Sequence, residues 1–205
     1  SSPQPARGRP PVAAPPAAAV QTLAMGRLPR EIGNAHCIDA RRSGNGQPGA
    51  MARRSAGILL YRRRHGGVEV LLVHPGGPLW ARRDAGAWSI PKGEYGEGED
   101  PAAVALREFE EETGQRPPEA DLLPLGEVRQ RGGKVVTAWA APGDLDPAAV
   151  TSNTFMLEWP PRSGTRREFP EVDRAGWFDP ATAKEKLLAA QAELVDRLLA
   201  ALDRA

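Results

Sequence analysis

The sequence predicts a mixed α/β fold. Three observations support this: short apolar runs separated by turn signals, one well-punctuated amphipathic helix, and a change of texture near residue 50 that sets a leader apart from a single domain. A chain of 205 residues holds one domain of ordinary size plus a tail, and it is long enough to bury a substantial core.

Residues 1–50 are rich in Pro, Ala, Gly and Arg, contain no aromatic residue, and show no sustained period of 2 or 3.6. Such a segment cannot offset its ordering entropy by burial, so a disordered tail is expected over 1–50 and a domain over 51–205, beginning at Met51. An Arg-containing, acid-poor leader also fits a transit peptide. Beyond it, the apolar runs at 56–61 (AGILLY) and 68–73 (VEVLLV) flank Arg-Arg-Arg-His-Gly-Gly and read as a β-hairpin with a polar loop. Further strands are expected at 125–129, 134–140, 154–159 and 174–178, with helices at 101–113 and 181–202.

The helix at 101–113 has clear limits. Asp100 is placed to cap its start, Pro101 sits where a missing N–H costs nothing, and Gly114 suits the left-handed position that ends it. Ala102, Ala105, Leu106 and Phe109 recur at helical spacing as an apolar stripe, while Glu108, Glu111 and Glu112 fall at i, i+3 and i+4 on another face.

Composition narrows the function. A formal net charge of +1 excludes a strongly basic nucleic-acid binder. The lone Cys37 excludes an intramolecular disulfide and a cysteine zinc site, which suits a reducing cytoplasm. No stretch nears the roughly 18 apolar residues that span a bilayer, so no membrane partner is expected. His36, His65 and His74 lack metal-ligand spacing, and no serine sits in a nucleophile elbow.

Like charges at i, i+4 destabilise a helix by roughly a few tenths of a kcal/mol, and carboxylates near its C-terminal end also oppose the macrodipole. The ordinary reading of a Glu-Glu pair is a solvated acidic face. A hard divalent cation offers another, because Mg²⁺ prefers carboxylate and water oxygens and keeps positions free for phosphates. The surrounding sequence decides between them. Gly93, Glu99, Arg107, Glu108, Glu111, Glu112 and Gly114 stand in the order Gly, five residues, Glu, seven residues, Arg-Glu-hydrophobic-any-Glu-Glu-any-Gly. This segment resembles the Nudix box, departing only at Gln115, where an aliphatic residue is usual. The flanking strand order and the terminal helix resemble the Nudix domain as well, from about Met51 onward.

The resemblance implies an α/β/α sandwich with a mixed central sheet and a loop-helix-loop catalytic motif. It implies a Mg²⁺-dependent hydrolase, with Mn²⁺ as a substitute, that cleaves a phosphoanhydride bond in a nucleoside or dinucleoside polyphosphate. By position, Glu108, Glu111 and Glu112 become metal ligands, with one of them also placed to activate water. Gly93 brings its backbone to the metal, Arg107 orients a glutamate, and Glu99 ties loop to helix. Relatives often carry a further carboxylate six residues before a late tryptophan, a relation Glu171 bears to Trp177; Asp173 and Glu168 compete for the role.

Trp88-Ser89-Ile90-Pro91-Lys92-Gly93 resembles the approach to the box in dinucleoside polyphosphate and some inositol polyphosphate hydrolases, which makes Lys92 a phosphate ligand. That branch usually has His where Glu94 stands. Arg82 and Arg83 read either as a basic pair for the polyphosphate tail or as surface charge. Tyr95, Trp80 and Trp139 read either as base-stacking rings or as core. The expected partner is a small-molecule nucleoside polyphosphate substrate, not a nucleic acid or a membrane, and the expected assembly is a monomer or homodimer. The competing classes are a non-catalytic nucleotide-binding regulator and a hydrolase of another nucleoside diphosphate derivative or of an inositol polyphosphate.

Overall fold

The computed structural model describes residues 52–117 and 121–204, so the expected tail over 1–50 and its junction at Met51 lie outside the described residues. The central strand is β1 (Arg54–Arg64), whose Ala56, Ile58, Leu59 and Leu60 are wholly buried. An apolar run without alternation marks a strand covered on both faces. β1 turns at His65-Gly66 into β2 (Gly67–Pro75), with which it pairs antiparallel as the hairpin reading requires.

The near half of β1 has a different neighbour. There β3 (Lys92–Tyr95) pairs antiparallel with it, setting Ala56 opposite Gly93 and Gly57 opposite Lys92. A Cβ on Gly57 would collide with the Pro91 carbonyl oxygen and the Lys92 Cβ, so glycine is what lets β3 approach so closely. On its other side β1 runs parallel to β5 (Val135–Pro142). β4 (Leu123–Arg129) pairs with β5, and β8 (Val172–Phe178) pairs with β2. The order is β4-β5-β1-β2-β8 with β3 beside the start of β1, a mixed sheet. β6 (Thr154–Glu158) and β7 (Arg166–Pro170) form a separate antiparallel pair.

Alternation along β1 and β2 divides the core in two. Ala56, Ile58, Leu60 and Leu71 pack against Val104, Ala105 and Phe109 of α1 (Pro101–Thr113). Leu59, Val70 and Leu72 face the opposite way, toward α2 (Pro180–Lys186) and the Leu194, Val195 and Leu198 face of α3 (Ala192–Leu202). The result is the expected α/β/α sandwich. Among the described residues no helix is long and apolar enough to cross a membrane.

Three expectations need correction. The helix expected over 181–202 is interrupted: Leu187 and Leu188 take extended backbone, with ψ of 149° and 128°, between α2 and a short 3-10 turn (Ala189–Gln191). Leu187 forms a bridge with Trp88, and the Leu188 N–H donates to the Trp88 carbonyl at 2.8 Å, so tertiary pairing outcompetes helix propagation. β3 and β7 were not expected as strands, because KGEY and RREFP lack an apolar alternation. On α1, Leu106 is exposed and Val104 buried, and the buried side also carries Glu108 and Glu112. The carboxylates are therefore not on a separate solvated face.

Phe109 is wholly buried where α1 meets the sheet. Phe109→Ala is expected to lower stability by about 3–5 kcal/mol, read from urea unfolding midpoints. A loss below about 1 kcal/mol would contradict the packing described.

Candidate active site

The caps of α1 fix where its glutamates point. Asp100 accepts from the N–H groups of Ala102 and Ala103, both at 3.3 Å, and Gly114 ends the helix at φ 71°, its N–H donating to the Glu110 carbonyl. Held in this phase, Glu108 and Glu112 lie one turn apart against β3, with Glu111 at the half-exposed edge. The Lys92 N–H donates to Glu112 Oε2 at 3.1 Å. A Cβ on Gly93 would fall on the Glu108 carboxylate, so only glycine leaves room for it.

A second ring of contacts orients this cluster. Arg107 bridges Glu108 and Glu99, donating to each at 3.2 Å, and Glu99 also accepts from the Gly96 N–H at 2.8 Å. The loop before α1 is thereby tied to the helix. Asn153 donates from Nδ2 to Glu111 at 3.4 Å and from its backbone N–H to the Glu111 carbonyl. The Glu171 N–H donates to the Asn153 carbonyl at 2.8 Å, which brings the start of β8 beside α1.

Burial and mutual repulsion shift the carboxyls of Glu108, Glu112 and Glu171 upward. Glu112 is pushed up to about 8, chiefly by burial, with Glu108 and Glu171 adding to the rise and Lys92 opposing it. Glu171 is pushed up to about 7 by burial and by the charges of Glu108 and Glu111. Glu108 is raised by burial and by Glu111, against the pull of Arg107. Lys92 is 3% exposed and its ammonium has no ion-pair partner among the described residues.

The structure thus brings together Glu108, Glu111, Glu112, Glu171, Lys92, Gly93 and Arg107. Glu168 instead takes the Thr154 hydroxyl on the β6–β7 pair, and Asp173 bonds His74 Nδ1 at 2.7 Å. Arg82 and Arg83 stand apart: no hydrogen bond or ion pair joins either to the glutamates among the described residues, and the Arg83 guanidinium lies over Trp80. Of the candidate stacking rings, Trp80 packs on the α2–α3 core, and Tyr95 and Trp139 pack on the α1 core. Asn153 was not anticipated, since a lone Asn before a strand carries no motif signal. Nor was the His74–Asp173 pair, whose residues stand 99 positions apart.

The donor set is entirely oxygen. Among the described residues no three Asp, Glu, His or Cys side chains converge on one point: Glu108 turns to Arg107, Glu112 to the Lys92 amide and Glu111 to Asn153. Crowded, largely buried carboxyls nevertheless suit a hard divalent cation.

The NUDIX domain model matches residues 51–198. The chain belongs to the NUDIX domain family. This NUDIX chain is 32% identical over 171 residues to an octanoyltransferase of Myxococcus xanthus, covering 82% of the chain and 42% of that protein. It is 43% identical over 60 residues to an RNA pyrophosphohydrolase of Roseobacter denitrificans, covering 27% of the chain and 38% of that protein. The chain spans less than half the length of these curated relatives. A C. elegans Ap4A hydrolase in a binary complex superposes with a TM-score of 0.55 at 22% identity, over 74% of this chain and 99% of that one, a likeness of fold.

The raised carboxyls make the NUDIX fold pH-dependent in a definite direction. From the ordinary 4.5 up to about 8 the folded chain keeps a proton on Glu112 that the unfolded chain has lost, and Glu171 behaves likewise up to about 7. The folded state then binds more protons, so stability is full below about pH 4.5 and falls as pH rises through that window. Without divalent cations, the melting temperature is expected to drop between pH 5 and 8 and to drop less in Glu112→Gln; a flat profile in the unaltered chain would contradict the burial described.

Proposed function

We propose that this NUDIX domain, over 51–205, is a Mg²⁺-dependent hydrolase, with Mn²⁺ as a substitute, that cleaves a phosphoanhydride bond in a nucleoside or dinucleoside polyphosphate. The observation that carries the proposal is the crowding of Glu108, Glu112 and Glu171, close enough to raise one another, with Glu108 against Gly93 and the buried Lys92, which has no ion-pair partner among the described residues, close enough to oppose the rise at Glu112. Crowded carboxylates with a buried cation close by match a substrate whose phosphates are bridged by a divalent metal.

In this reading Glu108, Glu111 and Glu112 hold the metal, with Gly93 leaving the space. The bound metal would neutralise phosphate charge and lower the pKa of a coordinated water. Arg107 keeps Glu108 oriented through its bridge to Glu99, and Lys92 takes a phosphate oxygen as a point charge. Glu171, close enough to Glu108 and Glu111 to feel their charge, is a candidate general base. Glu111 is the other carboxylate placed to receive the proton of the attacking water.

The pyrophosphohydrolase and Ap4A hydrolase relatives support this class of bond. Hard oxygen ligands suit phosphate chemistry better than the acyl transfer named for the Myxococcus relative, most of whose length this chain does not span. A regulator that binds without cleaving has no need of the box glutamates, and Glu108, Glu111 and Glu112 are all present here. A small nucleotide as partner and a cytoplasmic location complete the proposal.

The test is incubation of the full chain with Mg²⁺ and nucleoside triphosphates, diadenosine polyphosphates, ADP-ribose or inositol pyrophosphates, with products resolved by chromatography. Cleavage within the phosphate chain is expected, abolished by EDTA. Glu111→Gln and Glu112→Gln should each lower kcat about a hundredfold or more with the fold intact by circular dichroism. Undiminished turnover in both variants would refute the assignment.

A further inference from the structure

The β6–β7 hairpin is continuous with the carboxylate cluster yet takes little part in the fold. Its two ends are Asn153, bonded to Glu111, and Glu171, and the Glu171 N–H to Asn153 carbonyl bond closes its base. Among the described residues it pairs with no strand of the main sheet. Two-stranded hairpins are marginal alone in water, so this one depends on its base for support. There Phe155 and Phe169 lie 6.2 Å apart across the pair, over Gly77, and Pro170 meets Gly76. Residues 160–168 are exposed throughout.

The pairing register divides its side chains between two faces. Thr154, Met156, Glu158, Arg166 and Glu168 share one, the outer face. Phe155, Leu157, Arg167 and Phe169 share the other, which packs on Gly77, and Trp159 is next in that alternation. The loop running on from Gly77 carries Arg82 and Arg83. Trp159 differs from the other four tryptophans, because Trp80, Trp88, Trp139 and Trp177 all belong to or pack on the two cores and Trp159 does not. Arg167 has no ion-pair partner among the described residues.

A half-exposed indole and an unpaired guanidinium on one face, rooted at the cluster that meets the phosphates, match an aromatic base joined to an anionic chain. We infer that the inner face of this hairpin, through Trp159 and Arg167, is a subsite for the second nucleoside of a dinucleoside polyphosphate. Trp159 stacks on the base and Arg167 pairs with the phosphate nearest it. One free indole provides for one base, which favours a dinucleotide over a longer nucleic acid. The inference rests on the hydrolase reading for its orientation toward the phosphates.

The experiment compares diadenosine tetraphosphate with adenosine 5′-tetraphosphate, which has the same number of phosphates but lacks the second nucleoside. Trp159→Ala and Arg167→Ala are each expected to reduce the ratio of kcat/KM for the two substrates about tenfold or more, chiefly through KM. Arg166→Ala, on the outer face, should leave that ratio within about twofold. Calorimetric Kd values for diadenosine tetraphosphate read the same contrast without turnover. If no substrate is cleaved but the two inner-face variants lose binding, the hydrolase reading fails and the subsite stands. An unchanged ratio and Kd in those variants, an equal loss in Arg166→Ala, or a preference for 5′-triphosphate RNA that the inner-face variants lose would each overturn the subsite.

Discussion

Taking the Glu108 and Glu112 carboxyls out of water together costs several kcal/mol for each charge left unpaired, and the helix carrying them recovers little of it by itself. The chain meets this cost locally. Arg107 neutralises one side of Glu108, the Lys92 amide bonds Glu112, and burial pushes Glu112 up to about 8, which lowers its charge near neutral pH. None of these contacts satisfies the whole cluster. A compact acidic site that is only partly compensated from within is one whose charge balance an added cation can complete, and this links the energetics of the fold to the proposed chemistry.

The same constraint explains the split sheet. α1 can set its glutamates against a strand only if that strand lies at the end of β1 that α1 covers, and β3 occupies that position because β2 pairs with the other end. Gly57 and Gly93 are the two places where a side chain would block the approach, one toward Pro91 and Lys92, the other toward Glu108. The sandwich therefore does more than bury Phe109 and Ile58. It fixes the distance between a helix bearing acids and a strand bearing a lysine.

Most of what depends on local chemistry could be read from the chain. The bounds of α1 follow from Asp100, Pro101 and Gly114, and the central hairpin from two apolar runs around His65-Gly66; both stand in the structure as expected. What could not be read depends on distant partners. β3 is a strand only because β1 accepts it, and the long terminal helix breaks at Leu187 because Trp88, far away in sequence, captures that segment. The apolar stripe expected on α1 includes Leu106, which is exposed, and omits Val104, which is buried, since spacing alone does not reveal that the glutamates share the buried side. Among the site residues, those inside the box come together, whereas Arg82 and Arg83, chosen for charge and loop position, do not join them.

A difference in support separates the chemical centre from what surrounds it. Glu108, Glu112 and Lys92 are held by a capped helix, a strand and two close-packed cores, so their geometry resists change. The β6–β7 hairpin is held at its base by Phe155, Phe169 and Pro170 and is otherwise free of the main sheet. Substitutions at its exposed positions cost the fold little, because no core contact is lost. Asn153 and Glu171 sit at the boundary between the two regimes, each bonded into the rigid part and each leading into the arm. On the proposed reading, bond cleavage stays tied to the box, while the hairpin selects the nucleotide that reaches it.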